Sequence, residues 1–173
     1  MNLESKIRTV PDFPKKGIMF KDITTVLKDT EALRYCIDAF YDHYKDKEIT
    51  KVVGVESRGF IIATALAYRL GCGFVPIRKP GKLPADTIRQ EYQLEYGTDS
   101  IEIHKDAILR GEKVLLHDDV LATGGTMSAA CSLIEQLGGI IVGLSFIIEL
   151  SFLQPRKKLP RYDILSLVQY DSE

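Results

Sequence analysis

"VLLHDDVLATGGT", Val114 to Thr126, decides how the chain is read. Val114, Leu115 and Leu116 are apolar without interruption, as befits a strand covered on both faces. The run leads into two adjacent carboxylates, Asp118 and Asp119, and then into a turn of small residues. Ala122, Gly124 and Gly125 let backbone N–H groups converge on an anion, and Thr123 and Thr126 add hydroxyl donors. A helix starting near Gly125 would aim its positive end at the same point. Ionised carboxylates cannot hydrogen-bond a phosphate, but they accept from sugar hydroxyls or help to hold Mg²⁺. A ribose 5-phosphate satisfies both halves. No Gly-Lys-Ser/Thr follows at the required spacing, so this is not a Walker A loop.

Around this stretch two element types alternate. β-rich apolar runs occur at Lys51–Glu56, Gly73–Lys79, Lys113–Asp119, Gly139–Leu150 and Tyr162–Tyr170. Helical patterns lie between several of them. Thr30–Asp46 places Leu33, Ile37, Phe40 and Tyr44 on one face, with Thr30 as the expected N-cap. Arg58–Gly71 ends on a glycine suited to a helix C-terminus, and the pattern from Thr126 stops in the same way at Gly138. The fold class is therefore α/β: a mainly parallel central sheet flanked by helices. Its ligand belongs beyond the carboxyl ends of the strands, where Asp118 and Asp119 sit. Two segments break the rhythm. Pro11–Thr24 is rich in Pro, Gly and Lys yet carries Phe13, Ile18, Met19 and Phe20, and Lys79–Ile108 opens with turn residues and then alternates like a hairpin. An insertion of that length suits an active-site lid.

At 173 residues and 45% hydrophobic, the chain suits one domain with a full core. A formal net charge of -1 argues against a broad nucleic-acid-binding face. Cys36, Cys72 and Cys131 are scattered and odd in number, which suggests reduced thiols inside a cell. The N-terminus lacks a secretory pattern, and the apolar run near Gly139–Leu150 is too short to span a bilayer. A cytoplasmic protein with no membrane partner is expected.

"VLLHDDVLATGGT" resembles the PRPP-binding motif of the type I phosphoribosyltransferases (PRPP is 5-phosphoribosyl 1-diphosphate). "FPKKGIMFKDITTVLKD", "VGVESRGFIIA", "IRKPGKLP", "LEYGTDSIEIHKDAI" and "IELSFL" are similar to successive landmarks of that family's adenine-specific members, in the same order along nearly the full chain. The resemblance implies a single domain over 1–173, with an N-terminal hood at about 1–30 and a flexible catalytic lid at about 80–103. It implies transfer of the phosphoribosyl group of PRPP to adenine, giving AMP and pyrophosphate, by a homodimer.

Carried over residue by residue, it places Asp118 and Asp119 on the ribose hydroxyls and Ala122, Thr123, Gly124, Gly125 and Thr126 on the 5-phosphate. Glu56, Ser57, Arg58 and Gly59 would form the pyrophosphate loop with Arg78, Lys79 and Lys82. Met19, Phe20 and Lys21 would make the adenine pocket. Mg²⁺ would be held mainly by PRPP, with water-bridged contact to Asp118 or Asp119 and no firm direct protein ligand. Members acting on 6-oxopurines carry an aspartate just before the Thr-Gly turn, where this chain has Ala122. Base chemistry then falls to the lid, where Glu95 and Tyr96, with Arg58 on the diphosphate side, are the expected catalytic residues. The competing readings are a 6-oxopurine phosphoribosyltransferase and a non-catalytic PRPP-binding regulator. The second would need a DNA-binding module or a broad basic face, and neither is evident.

Quieter residues have quieter expectations. Glu91, Lys15 and Lys16 read as solvated surface, and His43 and His104 lack metal-ligand spacing. His117 stands where aliphatic residues are common in relatives and should point into the core. Pro155 replaces a glycine common in relatives and is expected to lie clear of the reacting centre.

Overall fold

Five of the apolar runs lie side by side in the computed structural model, which describes residues 1–94 and 97–173. The chain begins with an antiparallel pair, β1 (Arg8–Pro11) and β2 (Met19–Asp22), then a short helix α1 (Thr24–Leu27) and the longer α2 (Thr30–Tyr44). Strand β3 (Lys51–Val55), helix α3 (Gly59–Leu70) and strand β4 (Gly73–Ile77) form a βαβ unit. A hairpin follows, β5 (Thr87–Gln93) with β6 (Thr98–His104). Strand β7 (Lys113–Leu121), helix α4 (Gly125–Gln136), and strands β8 (Ile140–Leu150) and β9 (Ile164–Tyr170) complete it. The central sheet has the order β4-β3-β7-β8-β9 and is parallel throughout.

Strand alternation divides the core in two. Val53, Leu116 and Phe146 face one side and pack with Leu133 and Ile134 of α4. Val52, Leu115 and Ile147 face the other, with Phe40 of α2 and Leu66 of α3. Both faces are thus covered, which explains why these strands carry no polar alternation.

The expected elements form with three differences. The N-cap of α2 is Asp29, not Thr30: Asp29 is extended, and its Oδ1 accepts from the backbone N–H of Glu31 and of Ala32 at 3.1 and 3.0 Å. The buried stripe of that helix is Ala32, Cys36, Phe40 and Tyr44, with Leu33 and Ile37 only half-buried at its edge. Strand β7 runs on to Leu121 because β8 continues beside it, pairing Val120 with Ile148 and Leu121 with Glu149. The acidic pair therefore sits inside a strand rather than at its tip. The Pro-rich N-terminal segment supplies β2 and the turn that pairs it with β1.

His117 is fully buried, as its place in β7 implied. Its Nδ1 lies 2.9 Å from Ser145 Oγ, whose own hydroxyl donates to the Leu116 carbonyl at 3.2 Å. Nδ1 is then the protonated nitrogen, and Nε2 has no partner among the described residues. Burial pulls the imidazole pKa down to about 4, with Asp119 only partly opposing it. The unfolded chain, with an ordinary histidine, binds the extra proton first. Stability should therefore fall as pH drops from about 6.5 towards 4, by about 3 kcal/mol from this residue alone. Urea midpoints measured from pH 7 to 4.5 should drop less steeply for His117→Gln; an unchanged slope would assign the acid loss elsewhere.

Candidate active site

The strand order reverses its winding between β3 and β7, so the loops leaving these two strands diverge and open a crevice. A cavity of about 570 Å³ fills it. Glu56, Ser57 and Arg58, following β3, and Asp118 and Asp119, on β7, line its floor, and Met19, Phe20 and Lys21 of β2 close one side. Lys79, Ala122 and Thr126 also line it. A smaller cavity of about 70 Å³ lies at the turn, lined by Thr123, Gly124 and Thr126, and shares Asp118 and Ala122 with the first. The acid pair and the turn thus border adjoining spaces. Gly124, the N-cap of α4, has φ 82° and makes no side-chain cap among the described residues, so the first-turn N–H groups of α4 can face an anion.

Of the expected residues, Gly59, Arg78, Lys82 and Gly125 do not line either cavity. Gly59 acts by what it lacks. A Cβ there would sit 2.9 Å from Asp118 Oδ1 and 3.2 Å from the His117 carbonyl oxygen, so only glycine lets α3 start directly on β7. Arg78 and Lys82 gather instead around Glu56. Its carboxylate accepts from the Lys79 backbone N–H at 2.6 Å and Lys82 Nζ at 2.7 Å, while Arg78 Nε lies 3.4 Å away without hydrogen bonding. Burial would raise this carboxyl's pKa, but the Lys82 and Lys79 hydrogen bonds outweigh it and hold it below the usual range. Glu95 and Tyr96 lie outside the described residues.

The acidic pair is electrostatically asymmetric. Asp119 is buried and accepts from Arg58 Nε at 2.5 Å. Burial, and then the neighbouring charge of Asp119, push the Asp118 carboxyl well above the usual range. Hydroxyl donors or a cation arriving at Asp118 would favour its ionised form. Arg58 also lies over the Phe20 ring at 5.2 Å, and Phe13 meets Phe20 edge-on at 5.1 Å, so the proposed base wall is braced from two directions.

Several contributors escaped the sequence reading. Tyr92 of β5 lines the crevice, and with Asp99 of β6 it holds Lys79: Nζ donates to the Tyr92 hydroxyl at 3.1 Å and to the Asp99 carboxylate. The alternation of β5 contained a signal, since Ile88, Gln90 and Tyr92 are its inward residues. Ile18 and Leu150 add apolar lining. Pro155, expected to lie clear of the reacting centre, lines neither cavity yet bears on the turn: a Cβ at Gly124 would be 2.8 Å from its carbonyl oxygen. Glu91, Lys15 and Lys16 are exposed as expected.

A crevice at the switch point of a parallel sheet, built from an acid pair and an anion-receiving turn, defines a sugar-phosphate transferase site. The family model of the phosphoribosyl transferase domain matches residues 22–168, and the chain belongs to that family. Within it, the chain is 58% identical over 171 residues to the adenine phosphoribosyltransferase of Clostridium novyi (strain NT), covering 99% of each. The adenine phosphoribosyltransferase structure from Thermoanaerobacter pseudethanolicus superposes with a TM-score of 0.94 at 55% identity, over 97% of this chain and 98% of that one. That from Saccharomyces cerevisiae, complexed with an imino-altritol bisphosphate and adenine, does so with a TM-score of 0.90 at 40% identity, over 95% and 96%.

The contact at Gly59 yields a prediction. Gly59→Ala must force α3 off β7, costing about 1–3 kcal/mol of stability, and should weaken PRPP binding by about tenfold or more. Calorimetric titration with PRPP checks this, and wild-type affinity would show that the close approach is not needed.

Proposed function

We propose that the protein transfers the 5-phosphoribosyl group of PRPP to adenine, forming AMP and releasing pyrophosphate. The observation that carries the reading is the junction of the two cavities at Asp118 and Ala122, which matches a ribose joined to its 5-phosphate. The names of the relatives support adenine as the base, and so does Ala122, which gives the purine no carboxylate beside the turn.

Asp118 and Asp119 take the ribose hydroxyls, and Ala122 to Thr126 take the 5-phosphate. Positive charge develops at the anomeric carbon as the bond to the diphosphate stretches, in the manner of glycosyl transfer. Negative charge grows on the departing group. Arg58, Lys79 and Lys82 receive it by exchanging their partners Asp119, Asp99 and Glu56 for diphosphate oxygens, aided by Arg78 and the loop from Glu56 to Gly59. Each well-placed donor contributes roughly 3 kcal/mol to the transition state. Met19, Phe20 and Lys21 hold adenine, with Phe20 stacked on it.

The donors in the crevice suit Mg²⁺ carried in by the substrate. Two adjacent carboxyls are present, but among the described residues no three His, Cys, Asp or Glu side chains converge on a metal. Asp118 or Asp119 would reach the ion through water, and the ion would neutralise charge on the leaving diphosphate. The 80–103 segment acts as lid and 1–30 as hood of a single domain spanning 1–173. Water must be kept from the charged sugar, which gives the lid its purpose. The enzyme works as a homodimer in the cytoplasm; no helix among the described residues is long and apolar enough to cross a membrane.

With PRPP and Mg²⁺, a panel of purines and pyrimidines should give nucleotide from adenine alone. Product only from hypoxanthine or guanine would replace this reading with the 6-oxopurine one. On the lid, Glu95 handles the purine, with Tyr96 beside it. Glu95→Gln should lower kcat/KM for adenine by about a hundredfold, the low end of general acid–base contributions; unchanged kcat and KM would remove Glu95 from the chemistry.

A further inference from the structure

Glu149, at the carboxyl end of β8, is only 2% exposed, yet it lines neither cavity of the crevice. Both its oxygens are taken by Arg156, whose Nε donates at 2.8 Å and Nη2 at 2.7 Å. Burial would raise the carboxyl's pKa, but the guanidinium outweighs this and keeps it below the usual range. The planar two-pronged contact fixes direction as well as distance. Arg156 belongs to the segment between β8 and β9. That segment is not part of the sheet; its two short 3-10 turns, Ser151–Leu153 and Pro155–Lys158, meet at Gln154, which has φ 54°.

Three anchors hold this segment. Arg156 is tied to Glu149, Leu159 is buried in the cluster that contains Met127 and Cys131 of α4, and Pro155 is itself buried. The Pro155 carbonyl is what closes the space beside Gly124, the residue whose left-handed backbone opens α4 and the phosphate turn. The chain of contacts therefore runs from β8 through Arg156 and Pro155 to the turn. We infer that the Glu149–Arg156 ion pair positions the 5-phosphate turn, holding the Pro155 carbonyl against Gly124 so that the amides of α4 meet the phosphate. This rests on the PRPP reading above. Both are positioning residues, and their effect falls on the phosphate end of the substrate rather than on the base pocket.

Arg156→Ala should raise the KM for PRPP by about tenfold, a loss of about 1.4 kcal/mol, with kcat and the KM for adenine nearly unchanged. Arg156→Lys, which keeps the charge but loses the fork, should recover part of that loss. Because Arg156→Ala strands a buried carboxylate, a second variant, Glu149→Met with Arg156→Met, replaces the pair by apolar side chains that such sites commonly tolerate. It should remain folded and still show the raised KM for PRPP. Hydrogen exchange across 122–126, measured without ligand, should quicken in Arg156→Ala and in the double variant. Wild-type exchange there, or a wild-type KM for PRPP in a folded variant, would overturn the inference, and so would an equal rise in the KM for adenine. Should the wild-type enzyme itself fail to bind PRPP, the proposed activity falls, while the exchange measurement still decides whether the clamp holds the turn.

Discussion

The first turn of α3 rests directly on β7, with nothing but hydrogen where a Cβ of residue 59 would meet Asp118 Oδ1 at 2.9 Å. Closeness at this point sets the rest of the site. It brings the backbone of Glu56 to Arg58 across the end of β3 and lets Arg58 reach sideways to Asp119. Gly54 makes a matching concession on β3, since a Cβ there would lie 2.9 Å from both Ala63 and Phe74. Two glycines thus fix the distance between the 56–59 loop and the acid pair, and a helix displaced by one methyl group would open the crevice between them.

The half of the site proposed to bind sugar phosphate was legible because it is local. Asp118 to Thr126 is one uninterrupted strand, turn and helix start, and its chemistry follows from residue types at fixed spacing. The half proposed for the diphosphate is assembled from separate segments, and its partners could not be read locally. Nothing in the pattern around Glu56 announces Lys79 and Lys82 as its partners, and nothing around Lys79 announces Asp99. Those contacts exist only after β4 has paired with β3 and the hairpin has folded back against the core, with Arg78 and Glu102 exchanging backbone hydrogen bonds.

Element boundaries failed for similar reasons. Asp29 and Thr30 are both good N-caps, and the choice depends on which backbone stays extended, with ψ 115° at Asp29. β7 outlasts its acidic pair because the length of a strand is set by its neighbour, here β8. Pro155 looked remote because it lies far along the chain from the turn, although the parallel sheet brings the ends of β7 and β8 together. Residue-type reasoning pointed to the candidate crevice; the supporting contacts needed the topology.

Arg58, Lys79 and Lys82 each hold a carboxylate of the protein. The crevice and its rim are therefore not a bare positive trap; under the proposed function they would act as an ion exchanger, whose cations change partners. A single phosphate arriving there can displace one carboxylate at a time and gains little, because one anion has merely replaced another. A diphosphate joined to a sugar, as the proposed function requires, would span several cations at once and add hydroxyl contacts at the acids. Selectivity over the simple phosphates of the surrounding solution would then come from the spacing of charges on the ligand rather than from the strength of the field. The displaced acids would remain close by, ready to reclaim the cations when the diphosphate leaves.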